Sequence, residues 1–546
     1  MAPKYTIEAG ARCLLKNLVS DSRLRIDPEI LAACDKVQYR GPSDPWLPTP
    51  FKYTEASSAF NALAAAGAAL IAKERYGIEQ EVVINTDKAT LNLYGFFHVR
   101  VDGQFIVKSS PAFVENSKEA DMYDASKPIH WCGINHHKTM DGRFYLPQTA
   151  FNPHPVMNLL GVEEQDVTPA EALKLFEDKV IRWDSDTLDR VLNEGYRQAG
   201  TICWTPEEFL NETEHGKIVN KEAIAMVNQL KAPRKSWPTP TKDGTFRPLE
   251  GIRVLDVSRA IAAPIISKIL AALGADVIHV SCLQLPDVPI CMCDAQNGKR
   301  DVHINLKTED GKRQLRKLLK DADVFVDGFR PGALEKLGFD AASCRAENPS
   351  LIYVRECCYG YNGPWAHRSG WQNIADACSG VCMVMGRWLG IGDEPVQPTG
   401  PIADYGTGFL GAALVVNALW QRAHTDITFD IKVSLVHFDV WICKYGQYSD
   451  EQKKTLRELH SAFHARHNTS FFLIGGLAWD SVHKIRPGFT DRPDLYSSLS
   501  GKLWGEERDL QVVAPPFEFS TSEIGFRYPS GRRGWCQDYN WLPRPT

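Results

Sequence analysis

The chain lacks most of the signals that settle a class quickly. Neither sign of charge dominates: 62 Lys and Arg stand against 67 Asp and Glu, a net of -5. That balance gives no electrostatic case for a nucleic acid or an anionic membrane as partner. No apolar run reads as long enough to span a bilayer. The longest, near residues 59–72, is rich in alanine and reads as a core helix. The first residues carry no secretory pattern, and the last four are not a peroxisomal tripeptide, so a cytoplasmic protein is expected. The 14 cysteines never form the paired C-x2-C sets of a zinc site. The close pairs Cys291 and Cys293, Cys357 and Cys358, and Cys378 and Cys382 read as buried thiols of a reducing compartment, and no metal is expected.

What is present is an ordinary globular composition on a long chain. With 546 residues, 44% hydrophobic and 24% charged, it has room for two to four domains and a large core.

One stretch stands out: Gln397-Pro-Thr-Gly-Pro-Ile-Ala-Asp404-Tyr-Gly-Thr-Gly408-Phe-Leu-Gly411, then an apolar run over 412–420. A turn rich in Pro and Gly delivers Asp404 to the start of a buried helix, read over 407–422. The positive end of the helix dipole and unpaired N–H groups favour the ionised carboxylate there. Gly406 and its neighbours let a ligand come close. Such a carboxylate can attack an activated acyl group. The commoner role for an Asp before a helix is a plain N-cap. Gly406-Thr-Gly408-Phe-Leu-Gly411 also spells G-x-G-x-x-G, with Asp430 downstream, but no strand leads into it.

In chain order, helices are predicted over 7–19, 28–34 and 57–76, a strand over 81–86, and a helix over 88–97. Residues 135–230 read as a small α+β module with helices over 155–160, 169–182 and 185–198. Residues 231–248 form a linker rich in Pro and charge. From 249 strands and helices alternate. Strands are predicted over 252–257, 274–280, 302–306, 322–327 and 350–355, with amphipathic helices between them. That pattern means an α/β fold, a Rossmann-like doubly wound parallel sheet, with ligands beyond the strand C-termini. The first strand carries no glycine-rich fingerprint. Arg259, Lys299, Arg300, Arg330 and Lys336, with Phe329, read as a basic, partly aromatic rim suited to a phosphorylated ligand with an adenine ring.

These motifs occur in a familiar order. Leu-Glu-Gly-Ile-Arg-Val-Leu-Asp-Val-Ser-Arg259, Ala263-Pro264, Gly-Phe-Arg-Pro-Gly-Ala-Leu-Glu-Lys-Leu-Gly, Asn348-Pro-Ser-Leu-Ile-Tyr and Ser369-Gly-Trp371-Gln-Asn-Ile-Ala-Asp-Ala-Cys-Ser379-Gly380 resemble the class III CoA-transferase family. The likeness is dense over 249–445 and returns at 510–520, which looks like that family's closing strand. The resemblance implies an enzyme that moves CoA from an acyl-CoA to a free carboxylic acid. Asp404 would be the nucleophile, through an anhydride and an aspartyl-CoA thioester. Arg259, Phe329, Arg330 and Lys336 would lie against CoA, and Trp371 and Gln372 beside the acyl group. CoA thioester enters as substrate, with no permanently bound cofactor, and the chain is expected as a monomer or homodimer.

The departures are informative. Ala263 stands where many relatives have Gly, Ser281 where an acid is usual, and Ile261 where some have a polar residue. The family's 2-methylacyl-CoA racemase branch needs a His at Trp371, and His367 is four residues away. A racemase, or an acyl-CoA-binding protein without catalysis, remains the alternative. Residues 1–230 also read as a degenerate partial repeat. Setting Phe60 against Phe409 aligns 69–71 with 418–420 without a gap and puts Glu55 opposite Asp404. After 446 the chain is expected to return to the large domain.

Overall fold

The computed structural model describes residues 4–106, 118–503 and 506–544. Seven strands make the main sheet: β1 (Ala225–Lys231), β2 (Arg253–Val257), β3 (Asp276–Ser281), β4 (Lys299–His303), β5 (Val324–Asp327), β6 (Ile352–Cys357) and β7 (Ile427–Ser434). Their order is β4-β3-β2-β5-β6-β7-β1, parallel except for β1, which pairs antiparallel with β7. Strands this apolar need cover on both faces, and helices supply it. The winding reverses between β2 and β5, so the crevice for ligands opens beyond their C-terminal ends.

The sequence reading did not include β7, and two further details differ. β1 comes from the end of the first 230 residues, so the first half donates an edge strand to the sheet and the boundary at 230 falls inside it. β4 begins at Lys299 rather than at residue 302, which puts Lys299 and Arg300 at its N-terminal end, away from the crevice.

Five helices matter for the site: α1 (Tyr53–Tyr76), α2 (Ala262–Ala272), α3 (Gln372–Ser379), α4 (Ile402–His424) and α5 (Leu435–Tyr445). α1 and α4 are, contrary to expectation, long and apolar enough to cross a bilayer. Yet 89% and 94% of their apolar windows are buried in protein, as in core helices. α4 starts at Ile402, a turn earlier than its glycines suggest. Glycine weakens a helix interior by about 1 kcal/mol, but here it permits close packing. A Cβ on Gly408 would stand 2.7 Å from Ile265 Cβ and 2.8 Å from the Ala262 carbonyl of α2, and one on Gly406 would collide with the Phe438 ring. The G-x-G-x-x-G triplet is therefore a helix-packing face, not a phosphate loop, and Asp430 is held by Arg355 at 3.0 Å.

α1 and α4 pack side by side, with Gly67 against Val416. The alignment of Phe60 with Phe409 sets these two residues opposite each other. It also pairs the first residues of the helices, Tyr53 with Ile402, and of the helices after the next strands, Thr86 with Leu435.

The C-terminal segment does not close the main sheet. Glu506–Val513 pairs with Tyr496–Leu503 and with Arg100–Val101, and Phe517–Phe519 pairs with Val82–Asn85. Later the chain runs back along the main sheet, where the Leu542 N–H donates to Asp276 and the Cys536 N–H to the Asp301 carbonyl.

Behind the sheet Asp323 is buried under three cations: Lys235 at 2.7 Å, Arg422 at 3.0 Å and Arg544 at 3.0 Å. Together they outweigh burial and hold its carboxyl down at about 2. Asp323→Ala strands the buried Arg422 charge, a loss of about 3–5 kcal/mol, to be read as a lower denaturation midpoint in urea. Because the carboxyl is depressed, this stabilisation is complete above about pH 4 and lost as pH falls toward 2.

Candidate active site

A cavity of about 170 Å³ joins Asp404, Trp371 and Gln372. Asp404 lies in the first turn of α4, Gln372 opens α3, and Trp371 is that helix's N-cap. Ala260 and Ile261, from the loop after β2, complete this side. Phe96, Trp131, Gln148 and Phe151, all from the first half, form the opposite wall. A larger groove of about 580 Å³ lies between Pro50, Trp388 and Lys453 and does not reach Asp404.

The N-cap reading of Asp404 fails. The cap is Pro401, and no side chain caps this helix. A proline has no N–H for an acid in the first turn to reach back to. Among the described residues no hydrogen bond holds the Asp404 carboxyl. The group is half-buried. Burial pushes its pKa up to about 8, so the expectation of an ionised carboxylate at neutral pH is corrected. A helix terminus contributes at most about 2 kcal/mol toward ionisation, and desolvation outweighs it. Its neighbour Tyr405 fixes the turn: its hydroxyl donates to Asp294 at 2.8 Å and accepts the Phe96 N–H at 3.0 Å. Asp294 in turn is paired with buried Lys268 at 2.6 Å.

More carboxyls lie beneath. Glu356, Asp376 and Asp439 are all raised, chiefly by burial, and each also feels Asp404. Asp376 and Asp439 hydrogen-bond each other, so the pair retains a proton. The Gln372 amide donates to Asp376. Asn373 accepts the Gln148 amide through its side-chain carbonyl at 2.7 Å, while its buried Nδ2 has no partner among the described residues and the residue lines the cavity. The sequence reading missed Asn373, Gln148 and Phe151. Asn373 sat unremarked beside Trp371 and Gln372. The other two belong to a module whose side chains reach the cavity only through the tertiary fold.

The expected CoA rim divides. Arg259 is half-buried at the crevice, with its guanidinium over the Phe151 ring at 4.9 Å and the Phe329 ring at 5.5 Å. Its Nη1 donates to the Pro286 carbonyl at 2.8 Å. Arg330 and Lys336 are exposed on the chain after β5. Lys299 and Arg300 do not belong to this rim. Lys299 is buried on Asp256 at 2.9 Å and the Pro264 carbonyl at 2.7 Å. Arg300 clasps Asp276 at 2.9 and 3.0 Å. Gly406 faces Phe438 and does not line the cavity. His367 is exposed on Glu194 at 2.8 Å, and no histidine lines the cavity among the described residues.

Comparison with known proteins places this geometry. Residues 249–470 match the model of CoA-transferase family III. An acetyl-coenzyme A transferase of Hypoxylon pulicicidum is 33% identical over 567 aligned residues, covering 100% of this chain and 93% of its own. An acyl-CoA transferase of Gibberella moniliformis is 26% identical, covering 92% and 90%. A solved CAIB/BAIF family protein from Brucella suis is 21% identical, covers 53% of this chain and 97% of its own, and has a TM-score of 0.38. The chain belongs to CoA-transferase family III and is an enzyme of that class.

Proposed function

We propose that this enzyme moves CoA from an acyl-CoA donor to a free carboxylic acid through Asp404. The carboxylate attacks the thioester carbonyl, the C–S bond breaks, and a mixed anhydride and CoA thiolate form. The thiolate then attacks the aspartyl carbonyl and releases the donor acid, leaving an aspartyl-CoA thioester. The acceptor carboxylate attacks that thioester, and thiolate takes the acyl group from the second anhydride, restoring Asp404. No resident cofactor is needed for this sequence.

The observation that carries the reading is an Asp404 carboxyl with no hydrogen-bond partner among the described residues, opening into a largely apolar cavity below the crevice. Exclusion of water protects the anhydride. The unpartnered Asn373 Nδ2 is a donor suited to the oxyanion that forms at each attack. Among the described residues no histidine lines the cavity, which speaks against racemisation, a reaction that needs a second proton carrier. The first half supplies a wall of the cavity, which supports reading it as a partial repeat that closes the site within one chain. Glu55, which the alignment sets against Asp404, is sealed at 0% exposure under the hydroxyls of Tyr5 and Tyr448, at 2.6 and 2.9 Å, which argues against a nucleophilic role.

Incubation with an acyl-CoA, then hydroxylamine, then peptide mass spectrometry tests this. The expected result is a hydroxamate at Asp404. Loss of an α-deuterium with no adduct would instead mean isomerisation, and CoA binding with neither would mean a binding protein.

A further inference from the structure

Outside the catalytic cavity, one cluster of side chains has the composition of a metal site. His130 lies in the short helix Pro128–Trp131, His154 opens the helix His154–Leu160, and Glu164 follows in the next loop. One ligand atom from each lies within 4.8 Å of the other two. The hydrogen bonding around His130 is specific. Its Nδ1 is 2.9 Å from the Asp124 carbonyl, which can only accept, so that nitrogen carries the proton. Its Nε2 then points a lone pair at Glu164 Oε2, 2.7 Å away. A metal bound by both atoms at about 2.0–2.2 Å needs them about 3 Å apart, so a small opening of this contact makes room for it. Neither ring nitrogen of His154 has a hydrogen-bond partner among the described residues, and its ring stands edge-on to His130 at 5.6 Å. Lys127 takes only the other Glu164 oxygen, at 2.8 Å.

We propose that His130, His154 and Glu164 bind a divalent metal of the zinc class, which ties the segment bearing Trp131 to the segment bearing Phe151 and so fixes one wall of the acyl cavity. Two imidazoles and a carboxylate suit Zn²⁺ with a position left for water, whereas Mg²⁺ and Ca²⁺ prefer all-oxygen sets. A backbone carbonyl on the far nitrogen of a ligating histidine is the usual support of such sites. The coupling to the cavity follows from the chain. Trp131 is next to His130, and Phe151 is three residues before His154; both line the cavity. Phe151 holds a left-handed backbone, φ 65°, and its ring packs on Trp371 at 4.7 Å. A strained non-glycine residue at a ligand cavity persists only where its surroundings hold it, and a metal at His154 would be one such restraint.

The test uses the full chain after dialysis against EDTA. Zn²⁺ is titrated calorimetrically, and Co²⁺ is added in parallel to report its ligands by visible absorption. The expected result is one equivalent bound at micromolar Kd or tighter, with a Co²⁺ spectrum free of thiolate charge transfer. His154→Ala and Glu164→Gln, both at exposed positions, are each expected to weaken binding at least about 100-fold and leave the melting temperature of the metal-free protein unchanged. Absence of binding, or binding that both variants retain, overturns the site and leaves a His–Glu–Lys ion-pair cluster. Metal removal is expected to raise KM for acyl-CoA several-fold with kcat changed less than twofold. An unchanged KM would overturn the link to the cavity. Hydroxylamine trapping at Asp404 in the metal-free protein reports separately on the transfer chemistry.

Discussion

Asp404→Asn is expected to lower kcat for CoA transfer by about three orders of magnitude or more while leaving acyl-CoA binding within a few-fold of normal. The amide is nearly isosteric, but it is too poor a nucleophile to form the anhydride, and among the described residues no other carboxylate lines the cavity. Asp376 and Asp439 are deeper, none of Glu356, Asp376 and Asp439 lines the cavity, and burial raises the pKa of all three. Steady-state kinetics beside a direct binding measurement separates the two effects; a variant that kept its turnover would remove Asp404 from the mechanism. The same carboxyl sets the pH dependence. Its raised pKa, about 8, means that the active, ionised form is the minor one at neutrality. In the free enzyme kcat/KM should therefore rise roughly tenfold per pH unit up to about 8 and level above it. Stability runs the other way. A carboxyl whose folded pKa lies above its unfolded value near 4 favours folding while protonated, so that contribution is lost as pH rises from about 4 to about 8. Asp404→Asn should then melt a few degrees higher than the native enzyme at pH 8.5, with the difference vanishing below pH 4.

Strands β2, β3, β5 and β6 were legible because they are apolar runs separated by amphipathic helices, a signal that survives without tertiary context, whereas the more polar β1 and β7 were not expected. The helix Glu309–Leu319 begins at Thr308, whose side chain accepts the Gly311 N–H, a cap of local sequence alone. Asp404, Trp371 and Gln372 could be singled out from motif order, and the fold brings all three to one cavity. What could not be read depends on partners distant in sequence. Lys299 and Arg300 look like a basic rim until Asp256 and Asp276 are seen beside them. The protonation of Asp404 is a property of its surroundings, not of the helix start that the sequence displays. The likeness at 510–520 suggested one closing strand, whereas the structure has two, Glu506–Val513 and Phe517–Phe519, whose neighbours Arg100–Val101 and Val82–Asn85 come from the far end of the chain.

Gly408→Val is expected to cost both stability and activity, although any residue but proline would ordinarily improve a helix interior over glycine. Gly408 lies one turn below Asp404 on the same face of α4. There α2 comes so close that an added Cβ meets Ile265 Cβ at 2.7 Å and the Ala262 carbonyl at 2.8 Å. A backbone oxygen cannot rotate aside, so relief requires the two helices to separate. Overpacking of this kind costs about 1–3 kcal/mol, and two γ-methyls put valine above alanine in that range. Separation also shifts the first turn of α4, and a displacement near 1 Å at the nucleophile is worth about 100-fold in rate. Gly476, in the helix Phe471–Ile485, is the control: a Cβ there meets nothing within 4 Å. Gly476→Ala should raise stability by about 0.5–1 kcal/mol and leave kcat alone. Denaturant midpoints and kcat for the two variants decide the matter, and if Gly408→Val kept both, the glycines of α4 would have to serve something other than its contact with α2.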